Sequence, residues 1–433
     1  MLAAKAEPTA VTADQQRASF FRQSGWLMVA NIAGGFFMWA VHLLTKAAPP
    51  GEYGDFGALL TVVMLLPTIP LQMVIAQQTA KALATGQAEE LSAVLRWFFA
   101  ATFLLWLVFA AAVVLFQAWI MQQWKLPNAS GLWLLLPIVL FQLWLPLFWG
   151  ALQGKQNFLW LGWSMMLNGV GRLTAAAIAV LALHIYSTGM IAGVLVGLLV
   201  AIAIAVWQTR SLWQTRPKSF DWRSLLTQVF PLLVAFFGFQ ILFTADTLFV
   251  KAYFTEAETD FYLSAGTLSR ALMWLVGPLA AVMFPRLVQS AAKSEKFDLM
   301  RLVLVGTGVL ALVGAIGLSV LGPWVVRLIY KPSFVKVASS LLPWYAGAMV
   351  PLAVANVLLN NLLARPSSKG LLAGWVFVLA MAYAFALTLP RFHGSLVAVL
   401  QTVGVCNLVL LAICAWFSWT SKRDKQPEPA EQV

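Results

Sequence analysis

Long apolar runs, separated by short polar breaks, cover most of this 433-residue chain. A helix needs about 20 mostly apolar residues to cross a bilayer, whereas a barrel strand needs only about ten that alternate. The runs here are of the longer kind and show no two-residue alternation. Twelve predicted spans cover residues 24–46, 54–78, 93–120, 130–152, 158–184, 189–208, 226–250, 260–284, 302–328, 338–363, 370–390 and 395–419. The pattern predicts an all-α integral membrane protein with about twelve transmembrane helices.

Composition agrees with this class and excludes others. The chain is 61% hydrophobic and 10% charged, whereas about 25% of residues are charged in average soluble domains. The net charge of +12 sits mostly in the polar breaks, which is the topogenic pattern of a polytopic membrane protein, so we expect no nucleic-acid partner. The two cysteines, Cys406 and Cys414, lie in the last apolar run. We expect neither a metal site nor a cofactor.

The basic residues predict the orientation. Nineteen of the 28 fall in breaks on the side of the amino terminus, seven fall in the opposite breaks, and two lie within spans. Because lysine and arginine are enriched in cytoplasmic loops, both termini are predicted to be cytoplasmic. The first 20 residues lack the apolar core of a signal peptide.

Two polar breaks repeat one another. Residues 46–56 read KAAPPGEYGDF and residues 251–261 read KAYFTEAETDF, so that the lysines and the aspartates both lie 205 residues apart, as do Lys81 and Arg286. Each break follows the first helix of a six-helix unit. Since six is even, the two units would enter the membrane in the same direction, related by a pseudo-two-fold axis along the membrane normal.

This repeat sets the predicted domains. They are a cytoplasmic amino-terminal tail (1–23), an amino-terminal six-helix lobe (24–208), a cytoplasmic linker (209–225), a carboxy-terminal six-helix lobe (226–419) and a cytoplasmic tail (420–433). Prolines are expected to kink the even-numbered spans 2, 4, 8 and 10, for example at Pro67, Pro137, Pro278 and Pro343, because proline removes a backbone donor.

Three stretches carry a family resemblance. They are PPGEYGDFGALLTVV, ALQGKQNF and ADTLFVKAYFTEAETDFYLSAGTLSRALMWLVGPLAAVMFPRL. Together they resemble the polysaccharide and oligosaccharide flippases, of O-antigen type, of the multidrug, oligosaccharidyl-lipid and polysaccharide transporter superfamily. The resemblance covers nearly the whole chain. It implies two lobes around a central cavity that opens alternately to each side of the bacterial inner membrane, and a lipid-linked (pyrophosphate) glycan as cargo. Membrane lipids and glycan-assembly enzymes are the other expected partners.

Charged residues within spans are costly and therefore candidates for function. Arg172 lies in the middle of span 5, Arg270 about three turns into span 8, and Asp246 near the outer end of span 7. Two arginines and one aspartate predict a positively charged cavity that binds an anionic cargo, since the planar guanidinium suits a phosphate.

Structural roles for the same residues remain open. Asp246 could instead pair with Arg270 or Lys251, and it is also a candidate for ion coupling. Arg172 could snorkel to the interface. Lys46 and Lys251 are either anchors at the outer interface or substrate contacts at the cavity mouth. His42, one turn before Lys46, is a candidate for proton coupling or a simple helix contact.

The sequence contains no catalytic motif such as HExxH, GxSxG or a P-loop, so we expect a transporter rather than an enzyme. Two alternatives to a flippase stay open. An ion-coupled multidrug exporter would be expected to place carboxylates in the amino-terminal lobe, where the predicted spans hold only Asp55. A non-transporting membrane scaffold is the other alternative.

Overall fold

The computed structural model describes residues 13–273, 299–363 and 369–423, which form helices joined by short connections and no strands. The helices are α1 (Ala13–Ala40, continued by a 3₁₀ turn at Val41–Lys46), α2 (Glu52–Met64), α3 (Thr68–Thr85), α4 (Ala88–Gln123), α5 (Ser130–Gly154), α6 (Phe158–Ala177, continued by a π turn at Ile178–Ala182), α7 (Ser187–Gln214), α8 (Trp222–Thr244), α9 (Asp246–Tyr253), α10 (256–273), α11 (Leu299–Ile329), α12 (Val335–Leu363, preceded by a 3₁₀ turn at Pro332–Phe334), α13 (Lys369–Thr388) and α14 (Leu396–Arg423).

Eleven segments of the described residues are long and apolar enough to cross a membrane. The predicted span 260–284 begins within α10, but its second half lies outside the described residues, as do Pro278 and Arg286. The predicted all-α architecture is confirmed. Following the predicted division of the chain, we call α1–α7 the first lobe and α8–α14 the second.

Proline breaks the second span. The chain leaves the helix after Met64 and re-enters it at Thr68, with Pro67 immediately before α3. Proline has no backbone N–H and disfavours a helical residue before it, which explains a break at this point. Prolines also lie inside two odd-numbered spans, Pro231 in α8 and Pro323 in α11, in addition to the even-numbered spans where the sequence predicts kinks.

Small residues bring α1, α6 and α7 into close contact. A Cβ atom at Gly169 of α6 would lie 2.4 Å from the carbonyl oxygen of Gly34 in α1, and one at Gly197 of α7 would lie 2.4 Å from that of Asn168. Glycine at such crossings lets helix backbones approach closely within a membrane. The packing fixes the position of α6, the helix that carries Arg172.

The connection between the lobes is short. Helix α7 continues to Gln214 and α8 begins at Trp222, so seven residues remain outside helices where the sequence predicts a linker over 209–225. Asp221 caps α8 by accepting hydrogen bonds from the backbone nitrogens of Arg223 and Ser224, both at 3.1 Å. This cap satisfies two of the free N–H groups at the start of the helix.

Candidate functional site

The two repeated connections face each other across the lobes. Asp55, in the first turn of α2, lies with its Oδ1 atom 2.5 Å from Nζ of Lys251, in the last turn of α9. Both side chains are almost fully buried. Lys251 is therefore not an exposed anchor at the membrane interface, which was one of the two predictions for it, because its charge is neutralised by a carboxylate of the other lobe.

Asp260 makes a second connection. Its carboxylate accepts hydrogen bonds from the backbone nitrogens of Gly51 and Gly54, each at 2.7 Å. Gly51 has a φ of 88°, a conformation that suits glycine. These N–H groups belong to the amino end of α2, where a helix leaves donors free and favours negative charge. A residue of the second lobe thus caps a helix of the first.

Glycines allow this approach. A Cβ atom at Gly57 would lie 2.0 Å from Cδ2 of Leu263, and one at Gly54 would lie 2.9 Å from Cγ2 of Thr259. Real Cβ atoms essentially never come within 3.0 Å of such atoms, so a side chain at either position would force Leu263 or Thr259 to shift. The lack of a side chain at Gly54 and Gly57 therefore favours the close packing of α2 on α10.

Tyr53 adds a buried polar hub beside the cap. Its hydroxyl lies 2.8 Å from Nδ1 of His42, 2.9 Å from Oγ1 of Thr267 and 3.2 Å from the hydroxyl of Tyr330. His42 and Tyr53 belong to the first lobe, whereas Thr267 and Tyr330 belong to the second. His42 is therefore placed one hydrogen bond away from the contact between the lobes.

Lysines join the edges of the same contact. Lys46 donates from Nζ to the carbonyl oxygen of Leu328, Lys331 donates to that of Ala48, and Lys125 donates to that of Phe254. Each bond crosses from one lobe to the other. We call the whole contact the interlobe seam, formed by residues 42–57 and Lys125 of the first lobe and residues 251–267 and 328–331 of the second.

Arg172 lies behind the seam, inside the first lobe. Its side chain is only 7% exposed. Its Nε atom is buried with no hydrogen-bond partner, and among the described residues it forms no salt bridge. His42 lies close enough to interact with it electrostatically. Asn168, one helical turn earlier, is buried as well. Snorkelling was the structural alternative for Arg172, and its burial does not agree with an interfacial position.

Arg270 is placed differently, inside the second lobe. One terminal nitrogen, Nη2, donates to Oδ1 of Asp246 at 2.8 Å and to Oδ2 at 3.0 Å, and Nε donates to the carbonyl oxygen of Phe243. The carboxylate of Asp246 also accepts hydrogen bonds from the hydroxyls of Tyr262 and Tyr345. Of the two partners predicted for Asp246, the structure selects Arg270 rather than Lys251.

The buried charges of the described residues balance. The cations are Arg172, Lys251 and Arg270, and the carboxylates are Asp55, Asp246 and Asp260. The prediction of a net positive interior counted only three of these six. Asp260 bonds to backbone amides and each of the other two carboxylates pairs with a cation, so Arg172 is the buried cation that has no carboxylate partner among the described residues.

Sequence reasoning missed several members of the seam. Asp55 and Asp260 were recognised as repeat landmarks but not as binding groups, and the two tyrosines, Tyr53 and Tyr330, were not singled out. The repeat itself was the available signal. It marks the same position in both halves, and two such positions on one side of a two-lobed membrane protein can meet across the symmetry axis.

Comparisons with known proteins agree on the fold. The lipid II flippase MurJ family profile matches residues 66–425. A solved structure of lipid II flippase MurJ in an inward closed conformation has a TM-score of 0.68 at 12% identity, covering 92% of this chain and 87% of that chain. An inward-facing multidrug resistance MATE transporter of the MOP superfamily has a TM-score of 0.67 at 12% identity, covering 91% and 96%. A comparison with curated protein sequences gives no significant match.

At 12% identity the solved structures support the fold alone. Each similarity covers more than nine tenths of this chain, and so includes helices of both lobes. The family profile is more specific, because it spans most of the chain. It supports the superfamily and the lipid-linked class of transporter that the sequence resemblance indicated, although it names lipid II flippases rather than flippases of O-antigen type. The chain belongs to the lipid II flippase MurJ family.

Proposed function

We propose that this protein moves a lipid-linked (pyrophosphate) glycan precursor across the bacterial inner membrane, by alternating access between its two lobes. The observation that supports this best is Arg172, a buried arginine that has no carboxylate partner in the described part of a chain of the lipid II flippase MurJ family. A buried charge is stable only when it is paired, so Arg172 calls for an anion. The phosphate of the cargo is the anion that this family supplies.

Within this proposal the predicted site residues take separate roles. Arg172 binds the phosphate, because its guanidinium has donors to spare. Arg270 and Asp246 hold the second lobe together, because their charges satisfy each other at 2.8 Å. Lys46 and Lys251 act at the mouth of the cavity as members of the interlobe seam, which opens when the lobes separate. His42 links the two regions, since it contacts Tyr53 of the seam and lies close enough to Arg172 to interact with it electrostatically.

The position of the interlobe seam indicates which face of the membrane is closed in this structure. If both termini are cytoplasmic, as the basic residues predict, the seam lies on the outer face and closes it. Release of the cargo outside then requires four interactions to break together: the Asp55–Lys251 pair, the Asp260 cap, the Tyr53 bonds and the lysine bonds to backbone carbonyls.

Two candidate cargoes are both glycans linked to a lipid through pyrophosphate. A peptidoglycan precursor follows from the family, whereas an O-antigen or other polysaccharide precursor follows from the sequence resemblance. We favour the first, because the family profile covers residues 66–425. Ion-coupled drug export is less well supported, since Asp55, the carboxylate that the predicted spans of the first lobe contain, is already paired with Lys251.

Transport assays with reconstituted vesicles test the function. The purified protein is placed in vesicles that contain a fluorescent prenyl-pyrophosphate-linked sugar, and the label accessible to an impermeant quencher is followed over time. We expect the protein to equilibrate the label between leaflets, and to move a peptide-bearing precursor faster than a peptide-free oligosaccharide. The opposite preference would assign the polysaccharide cargo. Transport of a cationic dye without movement of either lipid would overturn the flippase proposal.

A further inference from the structure

A groove lies on the surface of the first lobe, away from the interlobe seam. It has a volume of about 360 Å³ and is lined by Trp160 of α6 and by Ala203, Ile204, Trp207 and Gln208 of α7. Its walls are almost entirely apolar. Both tryptophans are exposed, Trp207 at 64% and Trp160 at 39%, so the groove opens toward the surrounding lipid rather than toward the core of the protein.

Two cations lie at one end of this groove. The guanidinium of Arg210 stacks 4.2 Å above the ring of Trp207. Nζ of Lys155 lies 3.5 Å from the carbonyl oxygen of Gln208 and 3.5 Å from Oγ of Ser211. Each cation therefore touches a residue that lines the groove, Lys155 from the connection that directly follows α5 and Arg210 from α7.

No acidic side chain neutralises this end. Among the described residues neither Lys155 nor Arg210 forms a salt bridge. Moreover, residues 91–220, which include all of α5, α6 and α7, contain no aspartate and no glutamate. The groove thus combines an apolar channel with a positive end, at the face where the basic residues predict the cytoplasm.

We propose that this groove binds an anionic phospholipid, with an acyl chain along the wall of α7 and the phosphate between Lys155 and Arg210. The groove suits such a lipid, because its apolar walls can contact an acyl chain while the two cations can bind the phosphate of the headgroup. Tryptophans and arginines at this depth are suited to the boundary between acyl chains and headgroups. A free phosphate has no apolar part that could contact the walls of the groove.

A membrane phospholipid fits better than the transported cargo. The groove lies on the perimeter of the lobe, where bulk lipid is always present, and Arg172 lies toward the opposite end of α6. The site is therefore separate from the proposed transport path, and its occupant would stabilise the packing of α6 on α7 rather than travel through the protein.

Native mass spectrometry of the full chain tests the proposal. The purified protein is mixed with phosphatidylglycerol or with phosphatidylcholine of the same chain length, and bound lipid is counted. We expect phosphatidylglycerol to be retained preferentially. Replacing both cations, as Lys155→Gln with Arg210→Gln, should weaken retention by about fivefold for each cation removed. Ala203→Trp should fill the groove and reduce binding of both lipids while both cations remain.

A matched control is available on the same face. Arg216 and Lys218 are exposed in the linker and touch none of the residues that line the groove, so Arg216→Gln with Lys218→Gln removes the same charge elsewhere. This pair should leave retention unchanged. If both double variants lost the same amount of bound phosphatidylglycerol, the effect would come from the net charge of the protein and not from this groove, and the proposal would be overturned. Unchanged binding in Ala203→Trp, or displacement of phosphatidylglycerol by an equimolar prenyl phosphate, would also overturn it.

Discussion

Asp55 and Lys251 form a buried ion pair across the two lobes, with 2.5 Å between Oδ1 and Nζ. Each residue belongs to a different copy of the repeat. The reciprocal pair, Lys46 with Asp260, does not form, because Lys46 donates to the carbonyl oxygen of Leu328 and Asp260 accepts from Gly51 and Gly54. The repeat therefore supplies equivalent positions that the two lobes use in different ways.

Replacement of either member of this pair should be costly, and replacement of both should cost less than the sum. Breaking a buried ion pair typically costs about 3–5 kcal/mol, because one charge is left without a partner. We expect Asp55→Asn and Lys251→Met each to lower the thermal unfolding temperature of the purified protein, and the double variant to recover part of the loss. Strictly additive effects would show that the two side chains do not interact.

Removal of the charge on Asp260 should open the interlobe seam. Hydrogen bonds to a charged group contribute about 1.5–3 kcal/mol, and Asp260→Asn weakens two of them. Spin labels at Ala47 and Leu328, both exposed and on opposite sides of the seam, should report a larger share of long distances.

Glu258→Gln provides the control for this measurement. Among the described residues its carboxylate accepts hydrogen bonds from Thr255, which directly precedes α10 in the same lobe, so the distance distribution should stay that of the unmodified protein. If Asp260→Asn gives the same distribution as this control, the cap does not hold the lobes together.

The pair of Asp246 and Arg270 should behave as a structural unit. Asp246→Asn leaves the guanidinium of Arg270 buried without its carboxylate and should lower stability, by about 3–5 kcal/mol if the protein does not rearrange. Arg270→Gln in the same chain should restore part of it. Thermal unfolding of the three variants measures this. Uphill transport lost in Asp246→Asn, with exchange and stability both retained, would instead indicate proton coupling.

Arg172 should be needed for transport but not for folding. Arg172→Lys retains a point charge that still attracts phosphate, so we expect partial flipping activity in reconstituted vesicles, whereas Arg172→Gln should lose most of it. Lys81→Gln removes an exposed cation of the same lobe and serves as the control. Full activity of Arg172→Gln, in protein that is folded and inserted, would exclude it from the phosphate site.

The predicted topology can be tested by labelling single cysteines after Cys406→Ser and Cys414→Ser. Ser219 of the linker and Ala257 of the interlobe seam are both exposed. We expect a cysteine at 219 to react with an impermeant reagent only from the cytoplasmic side, and one at 257 only from outside. Labelling of residue 219 from outside would show that the orientation is the reverse of the prediction and that the seam lies on the cytoplasmic face.

The sequence by itself determined most of the spans and the class of protein, and it predicts the duplication. Apolar runs predict spans because the bilayer demands about 20 apolar residues in one continuous stretch, which is a local property. The break at Pro67 is local as well, since proline acts on its own backbone and its neighbour. The repeat could be found because Asp55 and Asp260 lie at the same place in their halves.

Only the tertiary structure decided which charges meet. Asp260 caps a helix that begins more than 200 residues earlier. The sequence leaves open whether Asp246 pairs with Arg270 or with Lys251, whereas the structure pairs it with Arg270 and leaves Arg172 without a carboxylate among the described residues. Within the membrane the effect of a charge depends on its nearest partner, because little solvent is present to screen it. The packing of the lobes sets these partners. Hydrophobic periodicity and residue spacing describe local structure, so they do not predict which distant residues meet.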